Sequence, residues 1–168
     1  MYPHNSCVAT CETARSEGEQ DMGSSTLRKH SPGTRRLARE LALRLLYQVD
    51  IAQMPLDECF ASAVEHMPIE EEGYQFAYEL ASGTLKNLQK IDSIIARFAI
   101  GWPPERQPAP DRNVLRLATY ELLYHPETPP SVVISEAVEL AKKYNSDESG
   151  KFVNGVLASV LKHLEEYR

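Results

Sequence analysis

Long apolar runs are missing from this 168-residue chain: none approaches the roughly 18 residues a helix needs to cross a bilayer. The amino-terminus also lacks the basic-then-apolar layout of a secretory leader. Both absences predict a cytoplasmic protein. Cysteine is scarce, and Cys7, Cys11 and Cys59 are odd in number, with two of them in a polar tail; this pattern argues against a disulfide framework. His4, Cys7 and Cys11 supply too few ligands for a metal site. Positive charge is in short supply as well, with 18 Lys and Arg against 24 Asp and Glu and a net charge of −6. Such a chain does not adhere to nucleic acid over its whole surface.

The signatures of catalysis are equally absent. No P-loop, Gly-rich dinucleotide turn or zinc-type Cys/His spacing occurs. The five histidines, at 4, 30, 66, 125 and 163, are dispersed. Glu70, Glu71 and Glu72 are adjacent, so they do not converge from one helical face as a catalytic carboxylate pair would, and they suit the positive end of a helix dipole. The expectation is a protein that is not an enzyme and needs no cofactor or metal.

What the chain does have is a basic island. Between Arg28 and Arg44 lie six Lys or Arg residues and one acid, a local charge of +5 in an acidic protein. Any polyanion must therefore be met by one aimed patch.

Residues 1–30 are rich in Ser, Glu, Thr and Gly without apolar period and read as a disordered tail. Ser31-Pro32 suits a helix start. From there Leu37, Ala38, Leu41, Ala42, Leu45, Leu46 and Val49 recur at helical spacing, with Arg35, Arg36 and Arg39 on the neighbouring arc. This predicts a helix that buries one face and offers guanidinium groups on another. A short helix over Leu56 to Met67 follows, then one long stripe from Ala77 to Phe98 interrupted only by Gly83. "GWPPERQPAP" at 101–110 breaks the pattern with four prolines and divides a helical subdomain at 31–100 from another at 111–168. In the second subdomain Asp111 is the expected N-cap of a helix to Tyr124. Ser131 to Tyr144 reads as helix despite its "VVI", and Asn145 with Glu148 resembles a capping box opening the last helix. Six to seven helices and no strand predict an all-α fold.

Two surface features are candidates for function. Arg35, Arg36 and Arg39 supply planar forks that meet phosphate bidentately and stack on bases, although a charged helix face is commonly no more than solvated surface. The start of the last helix presents Asp147 and Glu148, then Lys151 and Phe152, with Phe152 at the edge of the buried stripe. The acids serve either as complements to the helix dipole or as a docking surface for a basic partner.

"RRLARELALRLLYQVD" at 35–50, "DRNVLRLATYELLY" at 111–124, "PPSVVISEAVELAKKYN" at 129–145 and "KFVNGVL" at 151–157 resemble the NusB family of transcription antitermination factors. The resemblance covers roughly residues 32 to 166. It implies two small helical bundles packed across one another and a role in processive transcription of ribosomal RNA operons. As partners it implies boxA single-stranded RNA, the small-subunit ribosomal protein NusE and the RNA polymerase antitermination complex. Carried onto this sequence, it assigns RNA contact to Arg35, Arg36, Arg39, Lys90, Lys151 and Phe152, and partner contact to Asp147 and Glu148. Leu37 interrupts an arginine run that is longer elsewhere in the family, and Thr84 and Ser135 also depart from its pattern. The alternative is a helical protein-binding adaptor without RNA contact. Self-association through the first helix, hiding the arginines, stays open at this stage.

Overall fold

The computed structural model describes residues 32–168, and among them every regular element is helical. The tail at 1–30 and the Ser31 cap lie outside the described residues. In chain order the helices are α1 (Pro32–Ala52), α2 (Leu56–His66), α3 (Glu71–Lys86), α4 (Leu88–Phe98), α5 (Ala109–Tyr124), α6 (Pro130–Tyr144) and α7 (Asp147–Lys162), with short 3-10 turns at Pro104–Arg106 and Leu164–Glu166.

The axle of the fold is α5. A surface helix buries one stripe, whereas a helix buried all round belongs to the middle of a core. Val114, Leu115, Leu117, Ala118, Leu122 and Leu123 of α5 are buried, and so are its polar Asp111, Asn113, Thr119 and Glu121. Helices α1, α3, α4, α6 and α7 all pack against it. One continuous apolar cluster results, including Leu41 and Leu45 of α1, Leu80 of α3, Ile91 and Ile95 of α4, and Leu157 of α7.

Three boundaries differ from the sequence expectation. The long stripe after Ala77 is two helices, because Asn87 ends α3. Its amide Nδ2 donates to the Gly83 carbonyl at 2.8 Å, beside its own backbone N–H, which is shared between the Gly83 and Thr84 carbonyls at 3.2 Å each. Asp111 is not an N-cap. The helix opens earlier, after Pro108, and Asp111 sits buried in its first turn, accepting from Asn145 Nδ2 at 3.1 Å and Ser149 Oγ at 3.0 Å. The cap of α7 is Ser146, whose Oγ accepts from the Ser149 amide at 3.2 Å, and not Asn145 with Glu148. Asn145 is occupied in holding Asp111, so the buried carboxylate decides which residue is left to cap.

Gly83 has a packing reason. A Cβ there would fall far inside contact distance of the Tyr120 ring, so only glycine lets α3 approach α5 so closely. At the other end, Asp50 of α1 ties three elements together. It accepts from Arg112 Nε at 2.6 Å and Asn113 Nδ2 at 2.8 Å on α5, while Arg116 grips Asp92 of α4 at 2.8 Å.

Candidate nucleic-acid interface

Helix α1 runs alongside α6 in the same direction and antiparallel to α5. Arg36 meets Glu136, Glu40 meets Lys143 and Arg44 meets Tyr144, whereas Arg39 meets Glu121 and Asp50 meets Arg112. The amino-terminal end of α1 therefore lies beside the start of α6 and the end of α5. Between them runs an open groove lined by Gly33, Arg35, Arg36, Arg39, Glu127, Thr128, Pro129, Val132 and Glu136.

The three arginines of the basic island have three different fates. Arg36 points outward: its side chain is 65% exposed while it grips Glu136 with Nε and Nη2 at 3.0 and 2.8 Å. An exposed pair of this kind contributes little to stability, so the guanidinium can exchange its carboxylate for a phosphate at small cost. Arg35 lies flat over Phe76 of α3, its guanidinium carbon 4.6 Å from the ring centroid. Stacking fixes the plane of the fork and leaves its edge for an anion. Arg39 corrects the expectation. It is buried at the groove floor, and its Nε and Nη2 donate to the equally buried Glu121 at 2.9 and 2.6 Å. Broad helical arcs place position 39 next to position 35, but 39 is a full turn further in, where α5 covers it.

Lys90, on α4, belongs to the same end of the molecule. Its Nζ donates to the Tyr167 carbonyl at 2.9 Å and lies 5.4 Å from the Tyr124 ring centroid. Tyr124, at the end of α5, lines a depression together with Arg35. A strip from Arg36 through Arg35 and Tyr124 to Lys90 is therefore continuous.

A profile of the NusB family matches residues 36–162. The chain belongs to the NusB family. The transcription antitermination protein NusB of Desulforudis audaxviator is 38% identical over 134 residues, spanning 80% of this chain and 97% of that one. The protein of the same name from Symbiobacterium thermophilum is 42% identical over 140 residues, covering 79% and 92%. Among solved structures, T. maritima NusB superposes with a TM-score of 0.69 at 36% identity, covering 76% of this chain and 90% of that one. A chain from a structure of antitermination factors NusB and NusE in complex with dsRNA gives 0.73 at 32% identity, covering 79% and 98%.

Within this NusB fold, the other sequence candidates sit elsewhere. Ser149 binds Asp111 at the start of α5, so the first turn of α7 lies at the opposite end of that helix from Tyr124 and Arg35, a helix about 24 Å long for 16 residues rising 1.5 Å each. Asp147 and Glu148 are exposed there, as is Lys151, which pairs with Glu148 at 3.1 Å. Phe152 is half-buried against the core. The structure thus gathers Arg35, Arg36 and Lys90 and separates them from the α7 set.

Sequence reading missed two features. One is a groove between α1, the start of α5 and the end of α6, lined by Leu43, Arg44, Tyr47, Gln48, Pro110 and Tyr144. Tyr47 is 42% exposed at its edge. The other is the set of Phe76, Tyr124, His125 and Glu127 around Arg35, drawn from α3, α5 and the turn after it. No spacing along one element announces such a set.

Proposed function

We propose that this chain is a transcription antitermination factor that binds boxA-type single-stranded RNA of ribosomal RNA operon transcripts together with NusE and so supports processive transcription by RNA polymerase in the cytoplasm. The observation that carries this reading is the pair Arg35 and Arg36, open on one groove in a chain whose relatives bear the name transcription antitermination protein NusB. No helix among the described residues is long and apolar enough to cross a membrane, which accords with a cytoplasmic role.

Arg36 and Arg35 hold successive phosphates, Lys90 extends the track, and Tyr124 offers a ring on which an unstacked base lies. Arg39 serves the interface indirectly, by anchoring α1 to α5 through Glu121. Three phosphate contacts give a log–log salt slope of about −2 for a single strand. Binding of that strength calls for a second protein. Asp147 and Glu148, exposed three and four residues beyond the Tyr144 that lines the Tyr47 groove, offer a place for one, since exposed acids match a basic ribosomal protein such as NusE. Lys151 and Phe152 lie on the same helix, where RNA leaving the partner would pass.

The activity is binding and not catalysis. The buried Arg39 and Glu121 are committed to each other, and Arg116 is committed to Asp92. A salt titration of boxA oligonucleotide binding, with and without NusE, tests the whole reading. RNA contact requires affinity to fall steeply as salt rises, and a salt-independent signal would leave only the protein-binding adaptor.

A further inference from the structure

Lys90 is one of two cations on the outer face of α4. The helix turns Gln89, Lys90, Ser93, Ala96 and Arg97 to solvent, with no acid among them. Its one acid, Asp92, is held by Arg116 through two hydrogen bonds of 2.8 Å. In a chain of net charge −6, a cationic face free of acids is a place where a polyanion can lie. Lys90 and Arg97 are seven residues apart, two turns along one side of the helix and about 10 Å on its axis. Lys90 Nζ lies 3.4 Å from the Tyr124 hydroxyl, so this face continues the strip that begins at Arg36.

The turn at Leu164–Glu166 and the residues after it lie across both cations. The Tyr167 carbonyl accepts from Lys90 Nζ at 2.9 Å, and its hydroxyl accepts from Arg97 Nη1. Glu166 Oε2 takes a second bond from the same Nη1 at 2.7 Å. The guanidinium carbon of Arg97 is 5.7 Å from the Tyr167 ring centroid. A carboxylate on a guanidinium with a flat ring beside it is the set that a nucleotide offers as phosphate and base. The turn is lightly held. Arg97 and Glu166 have side chains 49% and 51% exposed, and an exposed pair adds little to stability. Packing anchors the turn at the buried Leu164. Beyond it Glu165, Glu166 and Arg168 are exposed and Tyr167 is half-buried, with Arg168 Nη2 on the Leu122 carbonyl at 2.9 Å. Residues 165–168 can therefore lift from α4 while the core stays packed.

We propose that the Lys90–Arg97 face of α4 extends the RNA track, and that the turn carrying Glu166 and Tyr167 covers it in the free protein and is displaced by the bound strand; the inference rests on the RNA reading above. Arg97 then supplies a fourth phosphate contact. The cover makes that contact conditional: a strand must reach past Tyr124 before it competes with Glu166 for the guanidinium.

The test uses a labelled boxA oligonucleotide extended at each end by a run of uridines, with fluorescence anisotropy read on the full chain with NusE. Glu166→Gln keeps the size of the side chain and removes its charge, and is expected to tighten binding by up to about fivefold, the strength of an exposed ion pair. Glu165→Gln is the control: it removes the same charge from a side chain that is 89% exposed and pairs with Arg168, and its gain is smaller. Arg97→Ala flattens the log–log salt slope by about 0.7, the share of one phosphate contact on a single strand. In the Arg97→Ala background, Glu166→Gln brings no gain beyond that of Glu165→Gln, because the donor that the cover withholds is gone. A Glu166→Gln variant that binds no tighter than Glu165→Gln, or a gain that survives Arg97→Ala, overturns the covered track. No binding of this RNA by the original chain or by any variant overturns the RNA reading beneath it.

Discussion

Arg39 and Glu121 meet fork to fork inside the molecule, with side chains only 6% and 1% exposed, joining the arginine-rich helix to the central one. Their union makes a residue that looks like part of an RNA-binding ridge into a structural tie. Breaking such a pair strands a charge in the core, at a cost of about 3–5 kcal/mol. Arg39→Ala and Glu121→Ala should each lower the free energy of unfolding by that amount in urea titrations. The double variant Arg39→Met with Glu121→Leu should recover most of it. Loss of RNA binding by Arg39→Ala should accompany loss of stability and not precede it along a denaturant series.

Arg35 and Arg36 should behave in the opposite way. Their removal takes away two phosphate contacts and no buried partner. Arg35→Ala with Arg36→Ala should flatten the log–log salt slope of RNA binding by about 1.4 and change stability by less than about 1 kcal/mol. A slope that does not change would place the RNA elsewhere.

Asp50 gives the fold an acid-sensitive joint. Burial pushes its pKa up, but hydrogen bonds from Arg112 and Asn113 and the charges of Arg112 and Arg116 outweigh burial and hold it below its ordinary value. A carboxylate depressed in the folded state binds protons more readily when unfolded. Its contribution is therefore complete above the unfolded pKa near 3.9 and is lost as pH falls through the lower folded value. Urea midpoints should fall from pH 6 to pH 3, and Asp50→Asn should make that fall shallower. Equal pH slopes for native protein and variant would remove Asp50 from the account.

Much of this architecture is legible from helical spacing. Leu41, Leu45 and Leu46 announce the buried seam of α1, and Val153, Val156, Leu157 and Val160 that of α7, because a 3.6-residue period reports burial directly. The capping at 145–149 is not legible, since Asn145, Ser146 and Ser149 are all competent and the choice falls to Asp111, 34 residues away in sequence. The fate of Arg39 is hidden for the same reason: its partner is Glu121, 82 residues on, and a wheel drawn on α1 alone cannot tell an arc facing water from one facing α5. The hollow beside Arg35 combines both difficulties, taking residues from three elements with no shared period.

Asp147 and Glu148 lie exposed at the start of α7, three and four residues beyond Tyr144, which lines the groove that holds Tyr47. If a basic protein docks there, the two acids steer its approach while Tyr47 holds it once seated. Rim charges act mainly on association rate, and packed aromatics on dissociation. Asp147→Lys with Glu148→Lys should slow association with NusE by tenfold or more at low salt, with the difference shrinking as salt rises through physiological strength. Tyr47→Ala should raise the dissociation rate and be insensitive to salt. Surface plasmon resonance at several salt concentrations separates the two effects. If the charge reversal leaves the association rate unaltered while Tyr47→Ala still speeds release, the acids are complements to the α7 dipole and the partner is held by the groove alone.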